Sequence, residues 1–442
     1  MWIETFLMAN LQRVRSTTLY LLLAVCVVLF VMRGLVSGMH RGSDLIHLYT
    51  ASVLWIEGGS PYDGQQSVLV AERAGYGNPN HVSDGSFYPP PSIATLAPLG
   101  LMDWEAARLI WLVINSCCCV LLVWVLSKWL ALKRPSLRWL VASVLVLGWG
   151  PVATSLSLGQ LAIACSAAVF AGAYCLNCGR AIPAGLLVGV GCLIKPQLGL
   201  GFLLLIALRR EWRALVAGLV LITLVSLIGV GRLMMTVPDW ASQLSSNLAD
   251  AKASGQMLDA SLFNPQRYQM IDLHPLMYLV VPASWVAAAA LGITALLAAA
   301  GLARLLKIGL DRATLLAVSG VGLLMLMPVY HRYYDAVVLL PLVVLVINSL
   351  VRDRRDTIMW LIGLSLVPLI QPTSALLVTI ERRGIVPEGF AATWAWKHLL
   401  LQSQSWGLLV AAVALVIWTW KQPINDGNNA VSDPVTMPNN QP

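Results

Sequence analysis

Residues 180–213 read RAIPAGLLVGVGCLIKPQLGLGFLLLIALRREWR, two apolar runs closed at both ends by arginine and parted by Lys195-Pro196-Gln197. A helix that crosses a bilayer needs about 20 apolar residues, and each run here offers only about 12 to 15. Proline removes a backbone donor and disfavours helix at the residue before it, so the break belongs at Lys195. The stretch therefore reads as two half-length helices inside a membrane, with one ionisable side chain at their junction. Such a residue is a functional candidate, although a lysine at a helix end also snorkels to the interface without any function.

The whole chain supports a membrane setting. Of its 442 residues 58% are hydrophobic and 11% charged, with a mean hydropathy of +0.75, whereas soluble domains carry about a quarter charged residues. Apolar runs recur near 17–36, 108–126, 138–157, 161–178, 181–195, 197–208, 214–232, 276–303, 313–330, 333–351, 357–377 and 402–420. They predict an all-α, polytopic protein of about twelve transmembrane helices, one integral membrane domain over residues 1–422. The tail, residues 423–442, is rich in Asn, Pro and Asp without apolar periodicity and reads as disordered.

The formal charge of +8 does not point to nucleic acid, because the basic residues sit in short clusters between apolar runs. Those clusters act as topology signals: Arg13/Arg15, Lys128/Lys133/Arg134/Arg138, Arg180, Arg209/Arg210/Arg213, Arg304/Lys307/Arg312 and Arg352/Arg354/Arg355 fall on alternate connections. They place both termini in the cytoplasm and the two long connections, 38–107 and 233–275, on the extracytoplasmic side of a bacterial inner membrane. The first run follows Arg13 and Arg15 but is too long for an ordinary signal-peptide core, so it reads as a retained signal anchor. The eight cysteines lie in or at the ends of apolar runs and imply no disulfide framework. Cys175-x-x-Cys178 lacks a second Cys or His pair and reads as two small apolar residues at a helix end.

This topology gathers the polar oddities at one membrane face: Asp44, Asp63, Tyr88, Gln160, Lys195, His331, Arg332 and Asp335. Gly42-Ser43-Asp44 before an apolar stretch could simply start a helix. However, Leu45, Ile46, Leu48, Val53 and Leu54 form a stripe suited to a helix lying along the interface, which would hold the carboxylate at headgroup depth. There it could take a proton from an attacking hydroxyl. Lys195, His331 and Arg332 offer positive charge suited to a phosphate dianion, although Tyr with Arg at an interface is also common without function. Ser157-Leu158-Gly159-Gln160 reads as a tight turn with an amide at its tip. Tyr88-Pro89-Pro90-Pro91 reads as a rigid extended element, either a groove wall or a stiff connector.

In order, these motifs are the outer-loop Asp44, G-x-P-Y-D over Gly59 to Asp63, F-Y-P-P over Phe87 to Pro90, the Gly159-Gln160 turn, K-P-Q over Lys195 to Gln197, Arg-Arg-x-Trp over Arg209 to Trp212, and Y-H-R-Y-Y-D over Tyr330 to Asp335. The series, over about residues 40 to 340, resembles glycosyltransferase family 87. The resemblance implies the all-helical GT-C type fold with interfacial helices in its outer loops. It also implies inverting transfer of one sugar, most often mannose, from a polyprenyl-phosphate donor to a lipid or glycan hydroxyl. Asp44 matches the family's loop carboxylate, a general base, and His331 matches its histidine near the donor phosphate. Lys195 is assigned to phosphate from its position and charge, and Arg332, Gln160, Gln197, Tyr88, Tyr62 and Asp63 join it as expected substrate-binding residues. Family members often carry Asn-Gln-Ser in the second outer loop, where this chain has Ala260-Ser261-Leu262-Phe263-Asn264-Pro265-Gln266. Arabinofuranosyl transfer, also found in the family, is the alternative.

No cofactor is expected, and Asp44 and Asp63 are too few carboxylates for a divalent metal. The competing readings are a transporter or flippase, whose ionisable residues would lie at the bilayer centre, and a ligase moving lipid-linked oligosaccharides.

Overall fold

Proline and glycine set where this chain breaks its helices, and the apolar runs set how long each becomes. The structure is a computed structural model that describes residues 17–253, 255–264, 266–310 and 314–423. Every regular element there is helical, and an isolated bridge pairs Met270 with Arg332. Arg13, Arg15, Arg312 and the tail from residue 424 lie outside the described residues.

Each of the twelve expected runs carries helix, but they differ in length. Six segments are long and apolar enough to cross a membrane: Thr17–Glu57, Trp104–Trp129, Trp212–Thr236, Ala283–Ile308, Tyr333–Arg352 and Ser403–Lys421. A seventh is the pair Pro135–Gly148 and Gly150–Leu158, bent by 54°. Ala162–Asn177, Ala181–Ile194, Pro196–Leu208 and Thr314–Met325 hold 16, 14, 13 and 12 residues. At 1.5 Å per residue they reach only about 18–24 Å, less than the ~30 Å hydrocarbon core. They are apolar largely because other helices surround them, as the nearly continuous burial of Ala162–Asn177 illustrates. Small residues permit that closeness: a Cβ on Gly185 would fall 1.9 Å from the Ala214 carbonyl oxygen.

Two of the expected runs change, and the expected break holds. The run 357–377 is not one helix but three, Thr357–Ser365, Val367–Ile370 and Thr373–Arg382, because Pro368 and Pro372 cannot donate to a continuous ladder. The run expected to begin at 276 becomes a long helix only from Ala283, since His274–Met277 is a separate turn and Pro282 follows it. The break at Lys195 falls where proline put it, with φ −147° and ψ 84° ending Ala181–Ile194 and starting Pro196–Leu208.

The first long connection folds on itself. The helix Leu45–Glu57 exists, but its stripe of Leu45, Ile46, Leu48, Val53 and Leu54 is buried in the protein core rather than laid against lipid. The reason is that Gly64–Arg73, Pro90–Leu96 and Ala97–Leu101 wrap around it. Arg232 donates to the Trp55 and Ile56 carbonyls and stacks on the Trp55 ring, fastening the C-terminal end of this helix to the helix Trp212–Thr236. The extended element at Tyr88 is also shorter than expected. Pro89 is extended at φ −68°, ψ 154°, and Pro90 opens the helix Pro90–Leu96, a first-turn position where a missing N–H costs nothing.

Candidate active site

The Asp44 loop is built against the Gly159-Gln160 turn. Gly42 and Asp44 donate backbone N–H groups to Ser157 and Leu158 carbonyls at 3.3 and 3.0 Å, and Trp111 Nε1 donates to the Gly159 carbonyl at 2.9 Å. Asp44 occupies the N-cap position of Leu45–Glu57 yet makes no side-chain capping bond. Its carboxylate is therefore not spent on the helix start. One oxygen accepts from the buried Gln160 amide and the other from Ser43 Oγ at 3.2 Å. Gln160 thus holds the carboxylate rather than awaiting a substrate on its own.

Gly159 ends the helix Gly150–Leu158 at φ +72°, where a side chain is disfavoured. A Cβ there would lie 2.7 Å from Leu45 Cβ, beside Asp44. Gly159→Val is expected to lower activity at least tenfold through this displacement. A steady-state assay at matched expression checks it, and wild-type activity would show that the turn does not set the loop.

The second half of the site lies between Lys195 and Tyr330-His331-Arg332-Tyr333-Tyr334-Asp335. Asp335, 2% exposed, accepts from Lys195 Nζ on Oδ1 and pairs with His331 Nδ1 at 2.8 Å on Oδ2. Lys195 also lies over the Tyr334 ring, 5.0 Å from its centroid. Its ammonium is paired with Asp335, where the sequence reading assigns it to phosphate. His331 is fully buried, its backbone N–H donates to Asp272 at 3.1 Å, and its carbonyl accepts from Ile271 at 3.0 Å. Asp272 in turn takes His274 Nδ1 at 2.7 Å, so the second long connection braces the His331 segment. The Arg332 guanidinium bonds the Tyr330 hydroxyl. Burial works against its charge, but Tyr330, Tyr334 and Asp44 outweigh burial and hold its pKa above the usual guanidinium value.

Tyr88 joins the two halves. Burial pushes its hydroxyl above the ordinary tyrosine range, and the carboxylates of Asp44 and Asp335 push it further; Asp44 also acts on Arg332. One loop residue therefore senses both carboxylates. Ser92 Oγ, four residues on, donates to the Leu193 carbonyl at 2.7 Å just before Lys195. The chemistry on offer is a carboxylate that can accept a proton and whose charge acts on Arg332, together with a histidine braced by Asp335 and Asp272.

Two expected binding residues have other partners, and a third is exposed. Asp63 caps the helix Gly64–Arg73, accepting from the Gln65 and Gln66 backbone N–H groups. Tyr62 is buried and donates its hydroxyl to the Tyr88 carbonyl at 3.1 Å, supporting the Tyr88 loop. Gln197 is exposed on the first turn of Pro196–Leu208, unlike the buried Lys195. Asp272 carries no sequence signal of its own, and Tyr334 reads only as part of the Tyr330 to Asp335 motif. The pairing of His331 with Asp335 is made by an extended Arg332 leading into the 3-10 helix Tyr333–Leu339, which a helical i, i+4 reading of the spacing does not describe.

The comparisons with known proteins meet this geometry part-way. The family model of glycosyltransferase family 87 matches residues 87–328, more than half of the chain, and includes Tyr88, Gln160 and Lys195 while ending just before His331. No curated protein and no solved structure matches. The family decides against the transporter reading, and the apolar helices set the enzyme in a membrane. The chain belongs to glycosyltransferase family 87 and is a membrane-embedded glycosyltransferase.

Proposed function

We propose that the enzyme transfers one sugar, mannose first among the candidates, from a polyprenyl-phosphate donor to a hydroxyl of a lipid or glycan acceptor. The site of transfer is the extracytoplasmic face of the bacterial inner membrane. The observation that carries the reading is an uncapped carboxylate, Asp44, held by Gln160, whose charge acts on Arg332 and, with that of Asp335, on the Tyr88 hydroxyl. Asp44 takes the proton of the acceptor hydroxyl as its oxygen bonds to the anomeric carbon. The bond from that carbon to the phosphate oxygen breaks, and the electron pair leaves on the phosphate. Arg332 and His331 stabilise the growing charge. A phosphate leaves without a strong general acid, so one base supports a single, inverting displacement.

The test is purified enzyme in liposomes with radiolabelled polyprenyl-phosphate-mannose and a membrane lipid extract. Labelled product is the expected result. Failure with mannose, arabinofuranose and glucose donors alike would refute the donor class. Because the fixed cations are side chains, EDTA treatment is expected to leave the rate within about twofold; loss restored by a divalent ion would contradict this mechanism.

A further inference from the structure

Lys195, Asp335 and His331 form a linear chain, and among the described residues the His331 end carries a ring nitrogen without a partner. Asp335 divides its two oxygens between the other residues, Oδ1 to Lys195 Nζ and Oδ2 to His331 Nδ1. All three are buried, with Lys195 7%, Asp335 2% and His331 0% exposed. The His331 backbone is tied on both sides, its N–H to Asp272 and its carbonyl to Ile271. Its ring therefore cannot swing without breaking the Asp335 bond. The remaining ring nitrogen, Nε2, is buried and meets no hydrogen-bond partner among the described residues. An orphaned polar atom of this kind costs free energy unless a ligand completes it.

We propose that Asp335 is a positioning residue that acts through His331, orienting Nε2 toward a phosphate oxygen of the polyprenyl donor, and that Lys195 fixes Asp335 rather than touching the phosphate itself. The inference rests on the donor class proposed above. With Nδ1 committed to the Asp335 carboxylate, Nε2 is the ring atom left to meet an anion, and it donates when the ring carries both protons. A carboxylate on the far side of the ring fixes which nitrogen faces the ligand, as in other braced histidines. Asp335 is thus excluded as a reserve base in place of Asp44, since its two oxygens are engaged by Lys195 Nζ and His331 Nδ1.

The experiment measures binding of a sugar-free polyprenyl phosphate to the detergent-purified full chain by intrinsic tryptophan fluorescence. Proteins compared are wild type, His331→Gln, Asp335→Asn, the double variant His331→Gln/Asp335→Asn, Asp335→Glu and Lys195→Met/Asp335→Asn. Each single loss is expected to weaken binding about tenfold, and the His331/Asp335 double no more than either single, because the two residues act as one unit. Asp335→Glu recovers part of the affinity. Lys195→Met/Asp335→Asn removes the ion pair without leaving a buried charge, so it folds while binding as weakly as Asp335→Asn.

Additive losses, or wild-type affinity in Lys195→Met/Asp335→Asn, would overturn the assignment and reduce the pair to a structural role. No binding by wild type would overturn it as well. Non-additive binding losses in an enzyme that transfers no sugar from any lipid donor would instead sink the donor reaction and leave the Asp335–His331 coupling standing.

Discussion

Asp44→Asn is expected to lower sugar transfer by at least about a hundredfold while leaving the protein folded, a loss within the range for a general base. The substitution keeps shape and keeps an oxygen for the Gln160 amide, but an amide does not accept the acceptor's proton. Stability should change little, because Asp44 is half-buried and makes no capping bond. Thermal unfolding in detergent separates the two effects. A variant that melts with wild type yet transfers no sugar supports the base. Transfer that survives would displace it, and neither Asp63, a helix cap, nor Asp335, an ion-pair partner, is built to replace it.

Lys195→Met produces the second large effect, on stability rather than on a chemical step. It leaves the Asp335 carboxylate buried without its ammonium partner, and breaking a buried pair from one side costs about 3–5 kcal/mol. The variant is expected to melt well below wild type. Replacing both partners, as in Lys195→Met/Asp335→Asn, should recover most of that loss, since replacing both members of a buried pair is often neutral or stabilising. Equal stability of Lys195→Met and wild type would mean that the ammonium does not compensate Asp335.

Much of this arrangement was legible because membrane insertion writes itself into composition. Apolar run lengths located the helices, Pro196 located the break at Lys195, and Gly159 located the turn that carries Gln160. What sequence could not show is what covers an apolar residue. Leu45, Ile46 and Leu48 read equally well against lipid or protein, and the wrapping of residues 58–101 decided for protein. Short helices such as Pro196–Leu208 likewise read as spans, although the bundle rather than the bilayer accounts for much of their apolarity.

Charge was harder still. Lys195 and Arg332 look alike in a sequence as cations at one level, but only the fold puts Asp335 against Lys195 and leaves Arg332 with tyrosine. Asp63 and Asp44 look alike as loop acids before helices. The difference is that Asp63 bonds its own helix start and Asp44 bonds Gln160, 116 residues away.

The most direct test of the mechanism is the configuration of the transferred sugar, read by NMR from product made with a donor carrying ¹³C at the anomeric carbon. One base and one displacement predict inversion relative to the donor. Retention would require a second, covalent displacement by a nucleophile and would contradict the role given to Asp44.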